Sequence, residues 1–209
     1  MPVKNDPRPY RSPHRAAATE QTRARIIAAA CTLLSGGMNL PQFSLDAVAR
    51  QAGVTRLTIY NQFESKRGLL EAVFDDLAQR GGLSELPAVF AEADANQALR
   101  RLVSVFCRFW AAHATVMPKF GAVTTLDDEV KASLHQRSER RRQALAVLVM
   151  RLTQDARESS DDLVDVLFAL TSFEVFNALS VRNRSAKSVE TLIYDLVEHA
   201  VSRFCGNTG

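Results

Sequence analysis

The run from Ser44 to Lys66, SLDAVARQAGVTRLTIYNQFESK, constrains the fold of this chain more than any other stretch, because it carries the local signals for two short helices and the turn between them. Ser44 is a helix-capping residue type, and the apolar positions after it, Leu45, Val48, Ala49 and Ala52, fall at i, i+3, i+4 and i+7, which predicts a helix with one buried face. Gly53 follows where the chain must leave that helix, a place that favours the left-handed backbone glycine adopts without a side-chain clash. Val54 then packs inward from the turn. Thr55 caps a second helix whose apolar stripe is only Ile59 and Phe63, so that Arg56, Leu57, Thr58, Tyr60, Asn61 and Gln62 face outward. The expected motif is a helix-turn-helix.

The flanks extend the motif into a module. Ile26, Ile27, Ala30, Leu33 and Leu34 form a helical stripe before it, and Ser65 caps a following helix carrying Leu69, Leu70, Val73, Phe74 and Leu77. A second helix with so narrow an apolar face presents its other side to something else. Arginine, asparagine and glutamine make paired hydrogen bonds to base edges in a DNA major groove, and an apolar group meets a thymine methyl, which gives the outward Leu57 a reason to be where it is. The competing reading is a pair of ordinary surface helices in an all-helical protein.

At this point AVARQAGVTRLTIYNQFESKRGLL resembles the signature of the TetR family of bacterial transcriptional regulators, an AxxAGVxxxTxYxxFxxKxxLL-like run. Ala49, Gly53, Val54, Thr58, Tyr60, Phe63, Lys66, Leu69 and Leu70 occupy the places that pattern expects. The resemblance, which covers about the first third of the chain, implies that Arg56, Leu57, Thr58 and Asn61 approach base edges while Ser44, Thr55, Tyr60, Gln62 and Lys66 approach phosphates. Asn61 and Gln62 stand where many relatives carry aromatic or histidine residues. Independently, Ser44, Thr55 and Ser65 mark helix amino termini, whose unpaired NH groups and partial positive charge suit phosphate.

Composition agrees with a soluble globular chain, 46% hydrophobic and 23% charged over 209 residues. The formal charge of +3 conceals an asymmetry: residues 1–70 hold ten Lys/Arg against four Asp/Glu, whereas residues 71–209 hold sixteen against nineteen. The basic end is the helix-turn-helix end, where positive charge attracts a phosphate backbone. Residues 1–19, with Pro2, Pro7, Pro9 and Pro13 among Lys4, Arg8, Arg11 and Arg15, are expected to form a flexible arm, either reaching an adjacent minor groove or merely untethered. No secretory signal or membrane-spanning run is visible, which places the protein in the cytoplasm by default. Cys31, Cys107 and Cys205 are odd in number and set in apolar patterns, and His14, His113, His135 and His199 lack ligand spacing, so packed thiols are expected and no metal or other cofactor. Of the thiols, Cys205 is the one placed for a redox-sensing alternative.

After residue 80 a helical period persists, with a loop near Gly81, Gly82 and Pro87. Leu99, Leu102, Val103, Phe106, Phe109, Trp110 and His113 make one stripe; a segment from Met117 to Leu126 reads as broken by Pro118 and Gly121. A long polar helix follows over about Asp128–Thr153, whose Arg137, Arg140, Arg141 and Arg142 read as a solvated face or, alternatively, as a second nucleic-acid surface. The end of the chain reads as two helices, Leu163–Val181 and one striped by Val189, Leu192, Ile193, Leu196, Val197, Ala200, Val201 and Phe204. Their surplus apolar surface predicts a homodimer paired through Leu163, Leu167, Leu170, Leu192, Leu196, Val197 and Val201. Two-fold symmetry then requires an approximately palindromic operator on double-stranded DNA.

Phe106, Phe109, Trp110, Met117, Phe120, Phe173 and Phe176 fall in the segments that enclose the carboxy-terminal core, either as packing or, as the resemblance implies, as the wall of a cavity for a small-molecule effector. His113, Glu174 and Asn177 are its candidate polar contacts, against the plainer reading of a satisfied core histidine and solvated neighbours. The expectation is therefore an all-α protein with an arm over 1–19, a helix-turn-helix module over 20–66, a connecting helix over 67–80 and a helical effector-binding and dimerisation domain over 81–209. A mostly apolar or aromatic effector that shifts the population away from the DNA-binding form is the expected mechanism. An enzyme is not expected, since no phosphate-cradling glycine loop, HExxH pair, nucleophile elbow or Glu-x-x-His pair occurs; a nucleoid-type protein without sequence preference is the further alternative.

Overall fold

The computed structural model describes residues 13–36, 43–125, 128–153 and 160–205, with side chains for all of these but 13–15, 160 and 205. Every regular element among them is helical, and the chain divides into two compact units, residues 1–69 and 70–209.

In the first unit α1 runs Pro13–Ser35, α2 Leu45–Ala52 and α3 Arg56–Phe63, and α4, Lys66–Arg80, begins. The start of α1 corrects the expectation of an arm over 1–19: Pro13–Thr19 are helical, because proline is tolerated in a first turn and Ala16, Ala17 and Ala18 are strong helix formers. Pro2, Lys4, Pro7, Arg8, Pro9 and Arg11 lie outside the described residues. The α2–α3 turn forms as its residues dictate. The Ser44 side chain accepts from the Ala47 NH, Gly53 adopts φ 64° and ψ 40°, and the NH of Gly53 and of Val54 donate to the Arg50 and Ala49 carbonyls, a Schellman ending. Leu45, Val48, Ala49 and Ala52 are all buried. Two arginines of α1 complete the clamp: Arg25 donates to the Ala52 carbonyl at 2.7 Å, and Arg23 donates to the Gln62 carbonyl at 2.9 Å while lying over the Phe63 ring. Both place positive charge at helix carboxy termini.

The division between units falls within α4, between Leu69 and Leu70. In the second unit a 3-10 turn at Leu83–Glu85 leads into α5, Leu86–Ala91, with Pro87 in its first turn instead of in a loop. α6, Ala95–Ala112, is the central helix; Asp94 caps it, and it packs against α5, α8, α10 and α11. α7, Met117–Thr125, is continuous, since Pro118 falls in the first turn, where its missing NH has no intrahelical partner to lose, and Gly121 is accommodated. Leu126 lies outside the described residues. α8 spans Asp128–Thr153 as expected.

The expected helix over Leu163–Val181 is two: α9, Ser160–Leu170, and α10, Phe173–Leu179, followed by α11, Ala186–Cys205. The break is local chemistry. The Thr171 hydroxyl bonds back to the Leu167 carbonyl, and Ser172, extended at φ −80° and ψ 161°, caps α10 through the Val175 NH. The Thr171 carbonyl left free by this break accepts from Trp110 Nε1 at 3.0 Å and from Arg141 at 2.9 Å.

Candidate functional site

Ile59 and Phe63 are the only buried residues of α3, and each fixes the helix to its unit with roughly 1.5–3 kcal/mol of apolar burial. That leaves one exposed face. Arg56, Leu57, Tyr60 and Asn61, at i, i+1, i+4 and i+5, are exposed, with Leu57 at 67%, while Thr58 and Gln62 are half-buried at its edges. Thr55 caps the helix by accepting from the Thr58 NH at 3.1 Å, and its hydroxyl lies 2.8 Å from that of Thr58. Arg56 donates to Asp46 at 3.0 Å and to the Tyr60 hydroxyl at 3.1 Å, and these bonds raise its pKa, the Tyr60 contact contributing most. An ion pair this exposed is screened by solvent, so it does not lock the guanidinium in place. Lys66 is half-buried as the first residue of α4, beside Ser65, whose hydroxyl accepts from the Gly68 NH. The nine residues named for DNA contact thus sit on α3 or at the amino termini of α2, α3 and α4.

The second unit holds a half-open cavity of about 520 Å³. Seven of the ten residues named from sequence line it: Phe106, Phe109 and Trp110 from α6, Met117 and Phe120 from α7, and Phe173 and Glu174 from α10. The other three do not. His113 is buried away from the lining, with Nε2 2.9 Å from the Leu77 carbonyl, and burial lowers its pKa. Phe176 is core packing and Asn177 is exposed.

Sequence reading missed the cavity's polar wall. Arg137, Ser138, Arg140 and Arg141 of α8 line it, as do Phe74 from α4 and Leu102 from α6. This corrects the reading of Arg137 and Arg141 as part of a solvated face or a nucleic-acid surface. Arg141 lies 4.0 Å over the Phe168 ring and 5.5 Å over Phe106, and burial brings its pKa down to about 10. Arg137 pairs with Asp75 over the Phe74 ring, and Arg142 pairs with Asp165 and lies over Phe168. Only Arg140 of the four is fully exposed. The signal available in sequence was the set of aromatic residues these cations stack on, but it is scattered across distant segments.

Of the residues expected between two copies, Leu163, Leu167 and Val197 are wholly buried within their own unit and cannot reach a partner. α11 has two faces: Val189, Ile193 and Val197, at i, i+4 and i+8, meet the core, whereas Leu192 and Leu196 are 36% and 48% exposed. Leu170 and Val201 are half-buried. Cys107 is a buried thiol whose pKa burial pushes up to about 12, the opposite of a redox sensor; the Cys205 side chain lies outside those described. No helix among the described residues is long and apolar enough to cross a membrane.

A helix-turn-helix unit followed by a helical unit with an aromatic cavity defines an all-α protein of the helix-turn-helix class. Residues 26–73 match the model for bacterial regulatory proteins of the tetR family. A curated relative, the uncharacterized HTH-type transcriptional regulator TtgW of Pseudomonas putida, is 43% identical over 58 residues, which is 28% of this chain and 42% of that protein. The matched stretch therefore spans less than half the relative's length. Two solved structures share the fold: a TetR-like transcriptional regulator from Rhodococcus sp. RHA1 (TM-score 0.66, 17% identity, 95% of this chain and 99% of that one) and NalD, the secondary repressor of the MexAB-OprM multidrug efflux pump in Pseudomonas aeruginosa (0.65, 18%, 87% and 97%).

Proposed function

We propose that this protein is a sequence-specific DNA-binding transcriptional regulator, a homodimeric repressor that binds a palindromic operator and is released by a small molecule occupying the carboxy-terminal cavity. The observation that carries the reading is the exposed face of α3, on which a hydrophobic side chain, Leu57, stands beside Arg56, Tyr60 and Asn61. Exposure of a large apolar group within a set of hydrogen-bonding ones suits base-edge readout, the arginine and asparagine discriminating base pairs and the leucine meeting a thymine methyl. Ser44, Thr55, Tyr60, Gln62 and Lys66 would fix register on phosphates without reading sequence. Leu192 and Leu196, with the partly exposed Leu170 and Val201, offer an apolar strip that a second copy covers by two-fold symmetry. Two copies carry two α3 helices to half-sites about one helical turn, or a little more, apart.

Selection of bound duplexes from a random pool, followed by titration of the best sequence and a scrambled control at fixed salt, tests this reading. The expected outcome is an inverted repeat bound about 10³-fold or more above the control, by a dimer. Equal affinity for both duplexes would instead describe a nucleoid-type protein, and a monomer would remove the palindrome.

A further inference from the structure

We infer that the cavity of the second unit is built for an aromatic carboxylate, whose acid group is held by Arg141 and whose rings lie against Phe106, Trp110 and Phe173. The inference rests on the reading of this cavity as a ligand site and names what the site selects. Three arginines, Arg137, Arg140 and Arg141, and a single carboxylate, Glu174, are the charged groups lining it. Arg137 is already paired with Asp75, which does not line the cavity. Arg141 has no such counter-ion: among the described residues it forms no ion pair, and its one hydrogen bond goes to the neutral carbonyl of Thr171. Glu174 acts on it only from beyond ion-pairing distance.

A half-buried guanidinium lying over Phe168 and near Phe106 has lost part of its hydration, and a cation withdrawn from water in this way is ordinarily paired. Its five NH donors form a planar fork suited to two carboxylate oxygens, and only one is engaged internally. No side-chain nitrogen among the described residues is both sealed from solvent and unpartnered, so the unengaged edge of Arg141 opens onto space, and the space it lines is the cavity. Arg140, exposed on the same helix and without an ion pair among the described residues, adds positive charge. The remaining wall selects rings. Phe109 and Trp110 have centroids 4.6 Å apart, and Phe173 meets Trp110 edge-on at 5.6 Å. An apolar cavity of roughly 150 Å³ suffices for benzene, so about 520 Å³ admits two rings with a substituent.

Calorimetric titration of the intact protein, without DNA, with biphenyl-4-carboxylate and with its neutral isostere biphenyl-4-carboxamide provides the test. Trp110, the sole tryptophan, reports occupancy of the cavity by its fluorescence. The carboxylate should bind roughly ten- to a hundred-fold more tightly than the amide, the range of a charge-assisted hydrogen-bond pair, and R141Q should bring the two within about three-fold. Equal affinities in the wild type, no binding of either probe at millimolar concentration, or undiminished preference in folded R141Q overturns the inference. Should R141Q fail to fold, the wild-type comparison decides alone, with R141K expected to retain part of the preference. Failure here is separable from failure of the regulator reading: a protein that selects an operator yet ignores the acid group loses only this inference, and one that prefers the acid yet grips all DNA alike loses only the other.

Discussion

Replacing Gly53 by alanine isolates the backbone requirement of the α2–α3 turn. The residue sits at φ 64° and ψ 40°, where an L side chain costs about 1–2 kcal/mol, and the added Cβ would find only Arg25 Nη2, at an ordinary 3.6 Å. Crowding therefore contributes nothing, and the folded-state penalty is that of the backbone alone. Alanine also narrows the unfolded ensemble, which returns ~0.4–1 kcal/mol. The net loss is about 1 kcal/mol, or roughly 2–4 °C in Tm for a chain of this length. Asparagine tolerates the left-handed region better than alanine, so the order of stability should be Gly, then Asn, then Ala. Urea unfolding followed by circular dichroism measures all three. An alanine variant as stable as the wild type, or an asparagine variant less stable than alanine, would refute the assignment of strain to backbone conformation.

Gly81→Ala acts differently: its methyl would stand 2.4 Å from Phe109 Cδ2 and 2.9 Å from His113 Nε2, so overpacking should cost ~1–3 kcal/mol and weaken probe binding in the cavity that Phe109 lines, both read by melting and titration. His113 has a folded pKa lowered from 6.5 by burial, so its share of stability is complete above that value and is lost as pH falls below it through the folded pKa. Urea midpoints between pH 8 and pH 5 should decline, and less steeply in His113→Gln if that variant folds. Lys66→Ala should weaken operator and scrambled DNA alike and reduce the salt slope by about 1, whereas Arg56→Ala should forfeit ~1–3 kcal/mol of discrimination at particular bases; competition binding distinguishes them. Leu192→Ser with Leu196→Ser should shift sedimentation toward monomer with each site changing monomer stability by no more than ~0.5 kcal/mol, in contrast to Leu163→Ala, a core truncation expected to destabilise by ~2–5 kcal/mol.

Much of the first unit was legible in sequence because its determinants are local. Ser44, Gly53 and Thr55 fix cap, turn and cap within a dozen positions, and the sparse stripe of Ile59 and Phe63 states which face of α3 is buried. The clamp by Arg23 and Arg25 was not legible, since it joins α1 to carbonyls some 27 and more positions away, and a carbonyl carries no side-chain signature. The misreadings in the second unit share a cause. A strongly apolar run such as Leu163–Val181 suggests one helix, yet Thr171 and Ser172 supply a competing hydroxyl bond and a cap, and the freed Thr171 carbonyl finds Trp110 and Arg141 only in three dimensions.

α8 shows the limit most sharply. Four arginines within six positions read as a solvated face, because charge on a long polar helix normally belongs in water. What reverses the assignment is the placement of Phe74, Phe106 and Phe168 on three other helices, each beneath a guanidinium. Arginine can be drawn inward by rings where lysine would not, its planar cation being weakly hydrated and able to stack. Desolvating Arg141 without a carboxylate partner nevertheless opposes folding, and a neutral side chain of similar bulk would fill the same space without that penalty. On the proposal of an aromatic carboxylate ligand, the missing counter-ion arrives from outside, and the aromatic wall and the unpaired cation would be two halves of one recognition site.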